Sequence, residues 1–227
     1  MANKSIILIS IIFVMVSSLA YADSVTSELG AITSASACNS GWKCQLPYFM
    51  AYRSSTCSWS DREYCLFGCS VGKCIIKPIK IVGDSDCVLK TNQALTLLKK
   101  EARVHYNVVT KSVGVIKCVD KGFGIYVGIN PPKYVVGKAT INAGTIWYAS
   151  TIVHDACHSK QYHDYRVDHP YATVPLKIYT GKNAEALCLN AQYDALVKIG
   201  ANQIILDHIK NIINSEYWEI PKKDRWW

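Results

Sequence analysis

Apolar and polar positions repeat with several different periods along this chain, and each change of period marks a boundary. Ile6 to Val16 is a continuous apolar run. From Asp23 to Ala37, Ser, Thr, Ala and Gly dominate with no sustained apolar period, which predicts a linker over 23–37. Between Cys38 and Cys74 six cysteines are interleaved with Trp42, Tyr48, Phe49, Tyr52, Trp59 and Tyr64. That segment is too short to be stable on apolar burial alone, so 38–74 is expected to be a three-disulfide module of loops or short hairpins, with Gly41, Gly68 and Gly72 at turns.

The pattern then changes to that of a larger domain, 75–227. A polar entry at Asp84 to Asp86 precedes Leu89, Ala94, Leu95, Leu97 and Leu98, a stripe that predicts a helix to about Val104. Val104 to Val119, Gly122 to Ile129 and Tyr134 to Ile141 are rich in Val, Ile and Tyr and are separated by turn residues, which predicts a short sheet. After Gly144 the period returns to helical: Trp147, Ile152, Val153 and Cys157 lie on the buried sides of a helix to about Tyr165, and further helices are expected over 183–199 and 202–215. The fold class is therefore α+β. The aromatic end of the chain, from Tyr217 to Trp227, is expected to pack back on the domain.

Composition adds the compartment. Lys4, the apolar run and Ala20-Tyr21-Ala22 have the pattern of a secretory signal over 1–22, whose cleavage would leave 205 of the 227 residues; the apolar run is short for a spanning helix, and an uncleaved anchor is the alternative. The ten cysteines all follow it. An even number of cysteines in an oxidising compartment predicts disulfides, and no C-x-x-C pair supports redox chemistry or a zinc knuckle at Cys65, Cys69 and Cys74. The formal charge of +8 is scattered, with no basic run, which argues against nucleic acid. The module's aromatics offer a face for a cell-surface polymer.

The chemistry concentrates in Ser150-Thr151-Ile152-Val153-His154-Asp155-Ala156-Cys157-His158. Residues four apart on a helix share a face, so His154 and His158 can aim at one point, the geometry two zinc ligands require. An acidic residue follows the first histidine, and Glu185 lies 27 residues beyond His158 on a second predicted helix. Two histidines and a carboxylate make a three-ligand zinc site that keeps one position open. Cys157 follows His154 by three residues and Cys188 follows Glu185 by three, so on packed helices these offsets bring the two sulfurs together. Cys87 and Cys118 then pair by elimination, leaving Cys38, Cys44, Cys57, Cys65, Cys69 and Cys74 to the module.

These residues resemble the gluzincin zinc metallopeptidases, which carry a His-Glu-x-x-His helix and a downstream ligand glutamate. The resemblance covers about Trp147 to Leu196. It implies a zincin-like domain in which His154, His158 and Glu185 hold Zn²⁺, Asp155 acts as general base, and a peptide or protein is the substrate. Asp155 departs from the family, being one methylene shorter than glutamate. His163 and His169 are rival third ligands, and Tyr162, His163, Arg166 and His169 are candidates to stabilise an oxyanion. A different class, a non-catalytic extracellular binding protein, remains compatible with the cysteine-rich module.

Overall fold

The computed structural model describes residues 38–215 and Trp218, so the expected signal and linker and the rest of the aromatic C-terminal end lie outside the described residues. The cysteine-rich segment opens with three antiparallel strands, β1 (Gly41–Leu46), β2 (Phe49–Arg53) and β3 (Trp59–Tyr64), in spatial order β1-β2-β3. A two-residue hairpin follows, β4 (Cys69–Ser70) and β5 (Lys73–Cys74). Its turn places Val71 and Gly72 at φ of 50° and 70°, and a Cβ on Gly72 would stand 2.1 Å from the Trp42 carbonyl oxygen, so only glycine closes this turn.

The apolar interior of this segment is small, with Phe49, Ala51, Cys65 and Leu66 buried. Covalent links supply what burial does not: Cys38–Cys57, Cys44–Cys69 and Cys65–Cys74 are disulfides. Among the described residues no cysteine is free, which removes Cys65, Cys69 and Cys74 as metal ligands. Trp42 and Trp59 remain partly exposed.

Beyond it run β6 (Lys80–Val82), α1 (Ser85–Glu101), α2 (Arg103–Ser112), β7 (Val115–Val119), β8 (Phe123–Tyr126), β9 (Lys133–Gly137), α3 (Lys138–Asn142), α4 (Thr145–Asp168), α5 (Leu176–Tyr179), α6 (Lys182–Lys198) and α7 (Gln203–Asn214). The sheet order is β6-β7-β9-β8, parallel except for the antiparallel edge strand β8. The architecture is α+β, as the sequence pattern predicts. Asp84 caps α1 by accepting from the Cys87 amide, and Asn202 caps α7 by accepting from Ile205. No described helix is long and apolar enough to cross a membrane.

Two expectations are corrected. The segment after Val104 is not strand until Val115; residues Arg103–Ser112 form α2. Its β-branched content suggested a strand, but the buried positions Ala102, Val109 and Val113, with Tyr106 packed against the core, follow the 3–4 spacing of a helix. The last strand also ends at Gly137, where α3 takes over, so Ile141 is buried from a helix.

The central element is α4. Tyr148, Ile152, Val153 and Ala156 are buried in the main core with Leu98, Ile116, Leu189 and Leu196. Farther along, the Tyr64 ring of β3 stacks on His163 of α4 at 3.7 Å and 9°, while Arg166 lies over Phe49. The described residues belong to one compact unit. His163 is 3 % exposed, and neither ring nitrogen has a hydrogen-bond partner among the described residues. Burial, aided by the Arg166 guanidinium, pushes its pKa down to about 3.

A histidine held neutral in the folded state takes up protons on unfolding, so its contribution is fully present above the ordinary histidine pKa and is lost as pH falls below it. This one group is expected to cost about 2 kcal/mol of stability at about pH 5. Replacing His163 by Phe, which keeps a ring on Tyr64 and removes no hydrogen bond, should flatten the fall in melting temperature between about pH 7 and about pH 5. An equal fall in both proteins would contradict the assignment.

Candidate metal centre

The site is built where α4 and α6 pack. His154 and His158 lie one turn apart on α4, with ring centroids 4.8 Å apart, and Glu185 is in the first turn of α6, after Gly181 at a φ of 81°. The helices register through Ala156, Leu189 and Leu196 in the shared core, and through a disulfide between Cys157 and Cys188. Gln161 adds a polar tie, its Nε2 donating toward Cys188 Sγ at 3.2 Å and the Ala184 carbonyl at 3.4 Å.

The result is a near-equilateral triangle of donor atoms. His154 Nε2 and His158 Nε2 are 3.1 Å apart, and each is 3.3 Å from Glu185 Oε2. Two ligands at ~2.05 Å from a tetrahedral ion stand ~3.3 Å apart, so the triangle has the dimensions of one face of such a coordination shell. Hydrogen bonding alone explains it poorly. The Glu185 oxygen can accept from both imidazoles, but that leaves the 3.1 Å contact between the two ring nitrogens outside any N–H···O bond. The donor set fits a divalent cation, and His154, His158 and Glu185 form a cluster that could hold one.

The electrostatics agree. Burial opposes ionisation of Glu185, but hydrogen bonds and charge from His154 and His158 outweigh it and hold the carboxyl well below the usual carboxylate range. Burial likewise opposes charge on His158, yet Glu185, then Asp155 and the Tyr179 backbone, raise its pKa above the ordinary value. The side chains of the triad are 8–15 % exposed, so the anionic carboxylate is held ready in a partly desolvated place.

A cavity of about 170 Å³ opens beside the triangle. Asp155 lines it together with all three cluster residues, and so do Phe123, Ile125, Tyr134, Trp147, Tyr179, Leu189 and Gln192. Charge on Asp155 adds to the burial that keeps the Tyr134 phenol protonated. The other sequence candidates stand elsewhere. His163 stacks on Tyr64, Arg166 lies over Phe49, and His169 stacks on Tyr165; none lines this cavity. Tyr162 is set back from it, edge-on to Tyr179. Of the remaining histidines, His105 meets Asp194 at 2.7 Å and His208 packs near Trp147.

Tyr179 and Gln192 escaped the sequence reading. Tyr179 belongs to the four-residue α5, which has no periodic signal, and Gln192 shows only as the position one turn beyond Cys188. Comparison with family models, with characterised proteins and with solved structures gave no match, so the reading rests on the chain's own residues.

The Cys157–Cys188 link closes a loop with a sequence separation of 31 residues, a length expected to contribute about 3–4 kcal/mol. Replacing both cysteines by Ala should lower the melting temperature and weaken binding of a divalent cation by about tenfold, since it loosens the support behind the ligands. Calorimetry with and without added cation checks both, and unchanged affinity would show that core packing alone sets the triangle.

Proposed function

We propose that the protein is an exported zinc-dependent hydrolase that cleaves peptide bonds. The observation that supports it most is the 3.1–3.3 Å triangle of His154, His158 and Glu185 beside a cavity that Asp155 also lines. Five disulfides fit an oxidising compartment. Two imidazoles and one carboxylate suit Zn²⁺ and leave a coordination position for solvent or substrate.

Held by these three residues, zinc supplies a Lewis acid that polarises a carbonyl and acidifies a water molecule. The remaining work falls to the chain itself. Glu185 and the two histidines fix the ligand positions on two covalently linked helices. Asp155, adjacent to His154, accepts a proton from the attacking water and delivers it to the leaving amine. Its carboxylate is withdrawn by ~1.5 Å relative to glutamate, and a general base works within about 3.2 Å of its water, so its reach sets the rate. The apolar walls, Trp147, Ile125 and Leu189 among them, keep bulk water off the reacting groups.

Elemental analysis of the mature protein should find one zinc per chain, lost or strongly reduced in His158→Ala and Glu185→Ala. Asp155→Asn should retain zinc while lowering peptide hydrolysis by about a hundredfold or more, and Asp155→Glu should keep or raise it. Absence of zinc after reconstitution, or iron in its place, would sink the reading and leave a disulfide-rich binding protein as the better account. Hydrolysis indifferent to Asp155→Asn would remove the general-base role alone.

A further inference from the structure

The cavity beside the triad is more than a gap over the ligands. Tyr134, Leu189, Gln192 and Ile209, all at 4 % exposure or less, line its inner part, while the partly exposed Trp147 and Ile212 stand toward its mouth. At about 170 Å³ it falls below the ~300–1,000 Å³ usual for a whole small-molecule ligand. A cavity of ~150 Å³ takes one benzene ring, so this one, which also spans the space over the triad, holds at most a single aromatic side chain.

A polar group in its buried part, the Gln192 amide, narrows the choice. Ser150 Oγ donates to the Trp147 carbonyl at 2.7 Å, so toward Gln192 it can only accept, and Gln192 Nε2 donates to it at 3.1 Å. That fixes the orientation of the amide and directs Oε1 away from Ser150. Among the described residues no hydrogen bond reaches Oε1, and Gln192, 4 % exposed, lines the recess. Two neighbouring hydroxyls are committed as donors, Tyr134 to Thr151 Oγ1 and Thr151 to the Tyr148 carbonyl. Away from the triad the recess thus has apolar walls in Tyr134, Leu189 and Ile209, with the Gln192 amide among them.

We infer that this recess is the specificity pocket of the site and takes a tyrosine or tryptophan side chain of the substrate, whose phenol O–H or indole N–H donates to Gln192 Oε1. This rests on the hydrolase reading for its consequence, a cleavage preference, but the binding itself needs only the recess. Phenylalanine and leucine would fill the slot and leave the acceptor unpaired, which a buried site penalises.

The test measures binding of N-acetyl-tyrosinamide, N-acetyl-phenylalaninamide and N-acetyl-leucinamide to the full mature chain by NMR titration, with and without zinc. The tyrosine amide should bind about tenfold more tightly than the phenylalanine amide, and Gln192→Leu should erase that difference. Ile212→Trp, a change at a partly exposed position near the mouth, should block all three and decides the matter if Gln192→Leu does not fold. Equal affinities in the wild type, no binding of any amide, a preference that survives Gln192→Leu or binding unaffected by Ile212→Trp would overturn the inference. Cleavage of a mixed peptide library separates the two readings. Tyrosine-selective binding without zinc or cleavage would sink the hydrolase alone, whereas zinc-dependent cleavage with no aromatic preference would sink the recess alone.

Discussion

Everything chemical in this protein depends on the packing of α4 against α6. Each helix carries part of the donor set, and neither part is useful without the other: His154 and His158 provide two nitrogens on one face, and Glu185 closes the triangle from the facing helix. Donor distances between helices are hard to hold within a few tenths of an ångström by side-chain rotamers alone. Here the backbones are held first, by Ala156, Leu189 and Leu196 in the core and by the Cys157–Cys188 bond one turn from the ligands. The ligand rings then have little freedom left, which is the preorganisation a metal centre needs.

The cysteine-rich segment acts on the same helix from farther along. It has too little apolar interior to stand on burial, so its three disulfides restrict the unfolded chain instead. Tyr64 and Phe49 meet His163 and Arg166 of α4, and Tyr64 donates to Asn130 Oδ1 at 2.8 Å, tying the segment to the loop before β9. A histidine that sequence inspection could place in the candidate donor set is therefore used as a neutral aromatic plate. Its position explains the choice: five residues beyond His158 is well over a quarter turn off the ligand face of a helix.

What could be read from the sequence was what is local or doubly encoded. The i, i+4 histidine pair is local to one helix. Glu185 was identifiable because Cys188 repeats the three-residue offset of His154 and Cys157, so two independent pairings pointed at one helix contact. By contrast, α2 was misread because Val104, Val108 and Val109 favour strands by composition, whereas burial follows Ala102, Tyr106, Val109 and Val113. Gln192 and Tyr179 had no such mark. Their roles arise from where α5 and α6 fall against the rest of the cavity wall, which is set by tertiary packing that no short window of sequence contains.

The charge arrangement follows from the same packing. Two imidazoles and a carboxylate brought within 3.3 Å in a mostly buried place are costly unless something compensates the desolvation. Glu185 is helped by its place in the first turn of α6, where the helix dipole favours an anion. Its neighbouring imidazoles supply the rest, which is why Glu185 is driven down and His158 up. A divalent cation would take over that compensation, leaving the triad at a net charge of +1 and, with Asp155 ionised, the cavity near neutral. An apolar recess beside such a balanced centre can exclude water without stranding a charge, so the walls of Tyr134, Leu189 and Ile209 and the ligands on α4 and α6 form one consistent design.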